Sequence, residues 1–206
     1  MDLGTRDFAE VWALQRELVA ARQRDEIPDT LIFVEHPHVI TLGRGTHKEN
    51  LVAVGDVPTF EIERGGDVTY HGPGQLVGYP ILLLRPEERD LHLYLRNMEE
   101  GLIRAVSDFG VTGTRNPGWT GVWTAGAGDL RKLASIGVAV KRWVTMHGFA
   151  LNVSTDLARF TAINPCGLEA NVMGSLSSVL GKPVDMAAVK ASARGHLAAS
   201  FDRAIA

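Results

Sequence analysis

The sequence predicts an α+β domain spanning residues 1–206, in which a mixed, largely antiparallel sheet is flanked by helices. Three observations predict it. Several stretches carry apolar residues at helical spacing, and between them lie short β-rich runs bounded by glycine and proline. Neighbouring runs are joined by only a few residues, as hairpins are, so antiparallel pairing should dominate. In 206 residues, 45% apolar and 22% charged side chains are the proportions of one domain with a full core.

Asp7, with Glu10 three residues on, is placed to form a capping box. Phe8, Val11, Trp12, Leu14, Leu18 and Val19 then recur at helical spacing as far as Arg24, giving a first amphipathic helix. "IPDT" breaks it. "LIFVEH" reads as a buried strand and "PHVITLGRG" as a second extended piece. "TFEIER" alternates Phe60 and Ile62 with Glu61 and Glu63, as a half-buried strand does, and "QLVGYPILLL" suits a core strand; the segment between them reads as a loop. Asp90 opens a second helix with Leu91, Tyr94, Leu95, Met98, Leu102, Val106 and Phe109 on one face, and Gly110 is placed to cap its end. "LASIGVAV" and "WVTMHGFALNV" read as strands joined at Lys141-Arg142, and helical patterns resume around 169–180 and from Asp185 onward.

A net charge of −3 provides no basic field for tracking a phosphate backbone, so no nucleic-acid partner is expected. A lone cysteine closes no internal disulfide, and the first residues carry charges where a secretion signal would have an apolar core. The expectation is a cytoplasmic protein. The longest apolar run, "VGYPILLL", falls well below the ~20 residues that cross a bilayer, so no membrane association is expected either.

Chemistry is concentrated in four segments. In "RGGDVTYHGPGQLVGYP", residues 64–80, glycines allow main-chain N–H groups to approach a ligand, while Arg64, Thr69, Tyr70, His71 and Gln75 supply donors and acceptors. The bland alternative is a solvated hairpin loop. Gly72-Pro73-Gly74 leads into a strand and not a helix, and no Gly-Lys-Ser/Thr follows, which argues against a dinucleotide fold or a P-loop. Lys132 stands at the mouth of a small-residue strand; lysines there are usually exposed, but a buried one would favour its neutral form and could act as a base. His147 in "MHGFALNV" could be structural, orienting or a proton relay. His36-Pro-His38 lacks a nearby set of further ligands, so no metal is expected.

Cys166 in "INPCGLEA" is the fourth. A lone cysteine is most often a small buried hydrophobe, yet Pro165 stiffens the approach to this one and Gly167 frees the exit. A helix beginning near Glu169 would turn its N–H groups toward the sulfur, and helix N-termini stabilise the attacking thiolate.

Together these segments resemble the lipoyl(octanoyl) transferase family of lipoate biosynthesis. "RGGDVTYHGPGQLVGYP" is similar to that family's signature along its length, and "KLASIG", "HGFALN" and "INPCG" follow in the family's order; "IPDTLIFVEHPHVITLGRG" resembles its opening. The stretch "TAGAGDLR" ahead of Lys132 is less typical. The resemblance implies a catalytic domain of the biotin/lipoate protein ligase type. It implies transfer of an octanoyl group from octanoyl-acyl carrier protein to a lysine of lipoyl domains, such as those of 2-oxoacid dehydrogenase subunits or the glycine-cleavage H protein, with no cofactor. In such a family Cys166 would carry the acyl group as a thioester and Lys132 would lower its pKa. Arg64, Gly65, Gly66, Asp67, Val68, Thr69, Tyr70 and His71, with Ser135, Ile136 and Gly137 and with Gly148, Phe149 and Ala150, would line the substrate site. Basic residues, Arg64 among them, would ring the mouth to meet acidic partner proteins. Two rivals remain: an ATP-dependent lipoate or biotin ligase that needs no thiol, and a non-catalytic acyl-binding module.

Overall fold

The computed structural model describes residues 1–125, 130–165 and 169–205. The elements run β1 (Asp2–Thr5), α1 (Phe8–Gln23), β2 (Thr30–Glu35), β3 (Val39–Leu42), β4 (Thr59–Glu61), β5 (Val68–His71), β6 (Gln75–Ile81), α2 (Leu91–Ser107), β7 (Thr114–Asn116), β8 (Trp119–Ala125), β9 (Leu130–Lys141), β10 (Val144–Asn152), α3 (Leu176–Leu180) and α4 (Met186–Ser200). A seven-stranded sheet has the order β1-β2-β6-β10-β9-β8-β7, and a smaller one the order β4-β3-β5. The β1–β2 and β3–β4 pairs are parallel and the rest antiparallel, so the sheets are mixed and largely antiparallel as expected.

Helices cover both faces of the large sheet. Val11 and Val19 of α1 pack on Ile32, Val77, Tyr79 and Met146, whereas Met98, Leu102 and Ala105 of α2 join Val189, Ala193 and Leu197 of α4 over Leu76, Phe149 and Leu151. A third core, beneath the small sheet, gathers Ile40, Val68, Tyr70, Phe160, Ile163 and Met173.

The ends of the helices follow their chemistry. Asp7 caps α1 through Ala9 N, at 2.8 Å, without the reciprocal bond from Glu10 that a capping box requires. Asp90 accepts from His92 N and Leu93 N at the start of α2, and Gly110, at φ +81°, follows its end in a conformation that suits glycine. β9 and β10 are joined through Arg142 and Trp143, both at positive φ, the geometry of a tight hairpin turn.

Two local readings are corrected, and three strands go unread. The stretch between β4 and β6 is not all loop, because Val68–His71 forms β5 and pairs with β3; flanking glycines conceal a short run of β-formers. The β7–β8 hairpin and edge strand β1 carry too little alternation to be read locally. After Glu169 there is no long helix, only a 3₁₀ turn at Ala170–Val172 before Ser175 caps α3. Three residues are too few to sum a helix dipole.

Two carboxylates of α2 fasten the β7–β8 hairpin, Glu100 accepting from Arg115 Nη2 at 2.8 Å at the surface and Glu99 from within. Glu99, fully buried, accepts from Gly121 N at 3.0 Å, Arg96 at 2.6 Å and Arg115 at 3.1 Å. Both arginines keep enough exposure to be solvated alone, with side chains 59% and 37% accessible, whereas the Gly121 amide is buried. Glu99→Ala should therefore cost about 1–3 kcal/mol, the usual penalty for one stranded buried donor, read as a lower urea midpoint at unchanged slope.

Candidate active site

A cavity of about 510 Å³ opens between the small sheet and the β9–β10 hairpin, within the roughly 300–1,000 Å³ of small-molecule sites. The residues singled out from the sequence converge on it. Arg64, Gly65, Gly66, Asp67, Thr69, His71, Lys132, Ser135, Ile136, Gly137, His147, Gly148, Phe149 and Ala150 all line it. Ser135, Ile136 and Gly137 lie opposite Ala150, Phe149 and Gly148 across β9 and β10.

Val68 and Tyr70 are not in its lining. Successive strand residues point to opposite faces, so in β5 Thr69 and His71 reach the cavity while Val68 and Tyr70 enter the core below. The Tyr70 hydroxyl is engaged there by His38 Nδ1 at 2.7 Å. Cys166, with Gly167 and Leu168, lies outside the described residues. The chain beside it is anchored: Asn164 N donates to Asn50 O at 2.8 Å, Leu51 bridges Ile163, and Pro165 is buried.

Lys132 is 3% exposed. Lysine is almost never this buried without a specific reason. Its Nζ lies 5.4 Å from the ring centroid of Trp123, the residue paired with it across β8 and β9, in a cation–π contact. Its main chain is fixed as well, by Gly174 N donating to Lys132 O at 2.9 Å and by a bridge to Met173.

Arg64 is buried too, and so is not one of the rim charges expected from the sequence. Its Nη2 donates to Thr41 O at 2.8 Å and to Thr41 Oγ1 at 3.0 Å, and its Nη1 to Gly65 O at 3.1 Å. These bonds lock the start of the glycine-rich segment to β3. Asp67 locks its middle, accepting from Val68 N at 2.7 Å, His47 N at 3.3 Å and Asn50 Nδ2 at 2.5 Å.

Besides His47 in the cavity lining, His36, His38, His71 and His147 lie around the cavity and the small sheet. Burial pushes His71 down to about 3, so its imidazole is neutral. His36 is also lowered by burial; its Nδ1 meets Arg6 O at 2.8 Å and its Nε2 the Tyr79 hydroxyl at 2.8 Å. These bonds, and the one between His38 and Tyr70, occupy the pair that resembled a metal motif. Among the described residues no group of three or more His, Cys, Asp or Glu side chains could hold a metal ion.

His147 sits at φ +58° within β10, a conformation costing about 1–2 kcal/mol for a residue with a Cβ. Its N–H donates to Gln15 Oε1 at 2.9 Å, and its ring approaches Tyr79 at 6.5 Å. The turn of the backbone brings it to the same side of the sheet as Met146, against strict alternation. Its Nε2 stands 3.4 Å from Glu63 Oε2, too poorly aligned for a full hydrogen bond; Trp12 Nε1 donates to that same oxygen at 3.1 Å. Burial lowers the His147 pKa against the pull of Glu63. Sequence reading missed Glu63 as a site neighbour, since only the cross-chain pairing brings it to His147.

With this geometry in view, the comparisons place the chain. Residues 7–198 match the family described as Lipoyl protein ligase A/B catalytic domain, and the chain belongs to that family. Within it, the octanoyltransferase of Geobacter metallireducens is 52% identical over 195 residues, covering 95% of this chain and 89% of that protein. A solved chain from the lipoylation system of Thermoplasma acidophilum, a bi-partite lipoate protein ligase and its E2 lipoyl domain, superposes with a TM-score of 0.75 at 15% identity over 99% of this chain and 83% of its own. The biotin protein ligase of Aquifex aeolicus in complex with biotin and ATP gives 0.55 at 10% identity, over 98% and 69%. The fold is that of the lipoate and biotin protein ligases. No helix among the described residues is long and apolar enough to cross a membrane.

The Glu63 carboxyl is held down to about 2 from 4.5, first by His147 and against its own desolvation. A depressed carboxyl contributes stability above its unfolded value, and that contribution disappears as the pH falls toward the folded one. Wild-type protein should therefore lose stability relative to Glu63→Gln between pH 4.5 and about 2. Urea titrations of both proteins at about pH 6 and about pH 3 should show the gap narrowing in acid.

Proposed function

We propose that this protein is an octanoyltransferase of lipoate biosynthesis, an acyltransferase moving an octanoyl group from octanoyl-acyl carrier protein to a lysine of a lipoyl domain through a thioester on Cys166. The observation that carries this reading is Lys132, a nearly inaccessible lysine in the wall of a cavity built by the glycine-rich segment and the β9–β10 hairpin. The family and the 52%-identical relative named octanoyltransferase support it. The acceptors are lipoyl domains of 2-oxoacid dehydrogenase subunits and the glycine-cleavage H protein, in the cytoplasm.

The reaction balances with these two side chains alone. The starting state pairs a Lys132 ammonium with a Cys166 thiolate in charge, which raises the attacking fraction above that of a free thiol with a pKa near ~8.5. The thiolate attacks the donor carbonyl, the bond to the carrier sulfur breaks, and Lys132 gives its proton to the departing thiolate. What remains is octanoyl-Cys166 and a neutral lysine. The amine of the lipoyl-domain lysine then attacks, its surplus proton passes to Lys132, and the C–S bond breaks to restore the thiolate. Thioester exchange is nearly balanced in energy and amide formation is downhill, so neither step needs ATP.

The cavity walls suit an alkyl chain. Val77, Ile136, Val138 and Phe149 give them an apolar surface, and each methylene buried there is worth ~0.8 kcal/mol. Gly78 leaves room for Phe149, since a Cβ on it would fall 2.2 Å from the ring.

Intact mass spectrometry after mixing with octanoyl-acyl carrier protein tests the reading. The parent protein should gain one hydroxylamine-sensitive octanoyl group, Cys166→Ser none that hydroxylamine removes so readily, and Lys132→Ala the same adduct about 10²–10⁴-fold more slowly. An adduct formed equally well without Cys166 overturns it, and labelling that requires ATP with free octanoate favours a ligase.

A further inference from the structure

Behind the cavity wall a line of buried polar side chains has a direction that two main-chain carbonyls dictate. Asn152 Nδ2 donates to Gly174 O at 3.0 Å, so the oxygen of its amide is the atom that faces Gln75. Gln75 Nε2 donates to that oxygen at 3.0 Å and to Tyr70 O at 3.2 Å. Reversing either amide would set oxygen against oxygen in a buried place. The Gln75 oxygen must therefore face His71 Nδ1, which it does at 2.8 Å. An amide oxygen can only accept, so Nδ1 carries a hydrogen.

The other ring nitrogen is then a bare lone pair, because the imidazole is buried near the Arg64 guanidinium and is neutral. Among the described residues the one hydrogen-bond contact at Nε2 is a long one, Thr41 Oγ1 at 3.5 Å, whose hydroxyl accepts from Arg64 and keeps its own hydrogen to donate weakly to that lone pair. His71 lines the cavity, and with Nδ1 committed to Gln75, Nε2 is the nitrogen left for a bound substrate.

We propose that Gln75 is a positioning residue that holds His71 in the Nδ1–H form, so that Nε2 accepts a hydrogen bond from the incoming lysine amine. This rests on the octanoyl-transfer reading for the identity of the amine. An attacking amine has two N–H bonds. Lys132 takes the proton released as the amide forms, while the other N–H, which survives in the product, points at His71 Nε2; His71 accepts a hydrogen bond and no proton. A ring fixed in this form cannot donate from Nε2, so it is not a donor to the oxyanion.

The tautomer can be read without any substrate. In the full-length protein labelled with ¹⁵N-histidine, a long-range ¹H–¹⁵N correlation at neutral pH, with His71→Gln to assign the signals, should show Nδ1 protonated and Nε2 bare. Gln75→Leu should move the ring toward the Nε2–H form. It should also slow transfer from preformed octanoyl-Cys166 to a lipoyl domain about tenfold or more, while thioester formation changes by less than about threefold. A wild-type spectrum with Nε2 protonated overturns the proposal even where the variant fails to fold, as does a Gln75→Leu protein that slows both steps alike. If the expected tautomer appears but no thioester forms on Cys166, the assigned reaction has failed and the orientation of His71 stands.

Discussion

Burying a guanidinium costs several kcal/mol unless acceptors surround it, and Arg64 meets that demand with groups from two parts of the chain, Thr41 of β3 and its own neighbour Gly65. Much of the cavity's construction follows from housing this one side chain. A Cβ at Gly43 would lie 2.6 Å from Arg64 Nη1 and 2.3 Å from Gly66 O, and one at Gly137 would lie 2.9 Å from Arg64 Cδ. The arginine thus passes where only glycine leaves space, on the small sheet's side and on β9. Main-chain bonds complete the sandwich, with Arg44 N on Arg64 O, Gly45 N on Gly66 O and Gly65 N on Val138 O. The buried guanidinium ties the glycine-rich segment to the small sheet, and the main chain of Gly65 ties it to β9 of the large one.

The same demand for partners explains why a cavity with apolar walls is backed by buried, hydrogen-bonded polar side chains. His71, Gln75 and Asn152 form one hydrogen-bonded line ending on the main chain of Gly174, whose N–H in turn holds Lys132 O, and a long contact of 3.5 Å relates His71 to Thr41 and so to Arg64. Each member is buried, and a gap in such a line would cost more than any one bond contributes. The orientation of His71 and the backbone that carries Lys132 are consequently parts of one network, although the two residues come from different strands.

Much of this was legible in the sequence because it was local. The helices at 8–23 and 91–107 announced themselves through apolar spacing and the capping aspartates, and the β9–β10 hairpin through two β-rich runs with a short break. Most of the cavity lining, though not Val68 or Tyr70, lay within the quoted motifs. What escaped was whatever depends on pairing across the chain: that Glu63 would meet His147, that Asn152 would orient Gln75, and that α2 would hold the β7–β8 hairpin through Glu99. Strand alternation could have separated Thr69 and His71 from Val68 and Tyr70, but only once the segment was known to be a strand. Arg64 misled for a related reason, since an arginine among glycines looks solvated until the glycines are seen to be making room for it.

Lys132 combines two roles that substitution can separate. Its carbonyl receives Gly174 N and its backbone bridges Met173, so it anchors the chain downstream of position 166, as Asn50 anchors Asn164 upstream. These anchors are main-chain groups and survive any replacement of the side chain except proline. The side chain lies along Trp123 and against Gly121, where its Cε would sit 3.1 Å from an added Cβ. Shortening it to alanine leaves the strand pairing and both anchors in place and removes only the amine and its stem. A slow Lys132→Ala enzyme that keeps its folded stability would therefore report on proton transfer and thiolate stabilisation, not on a displaced chain, which is what makes the amine's part in the reaction separable from its part in the fold.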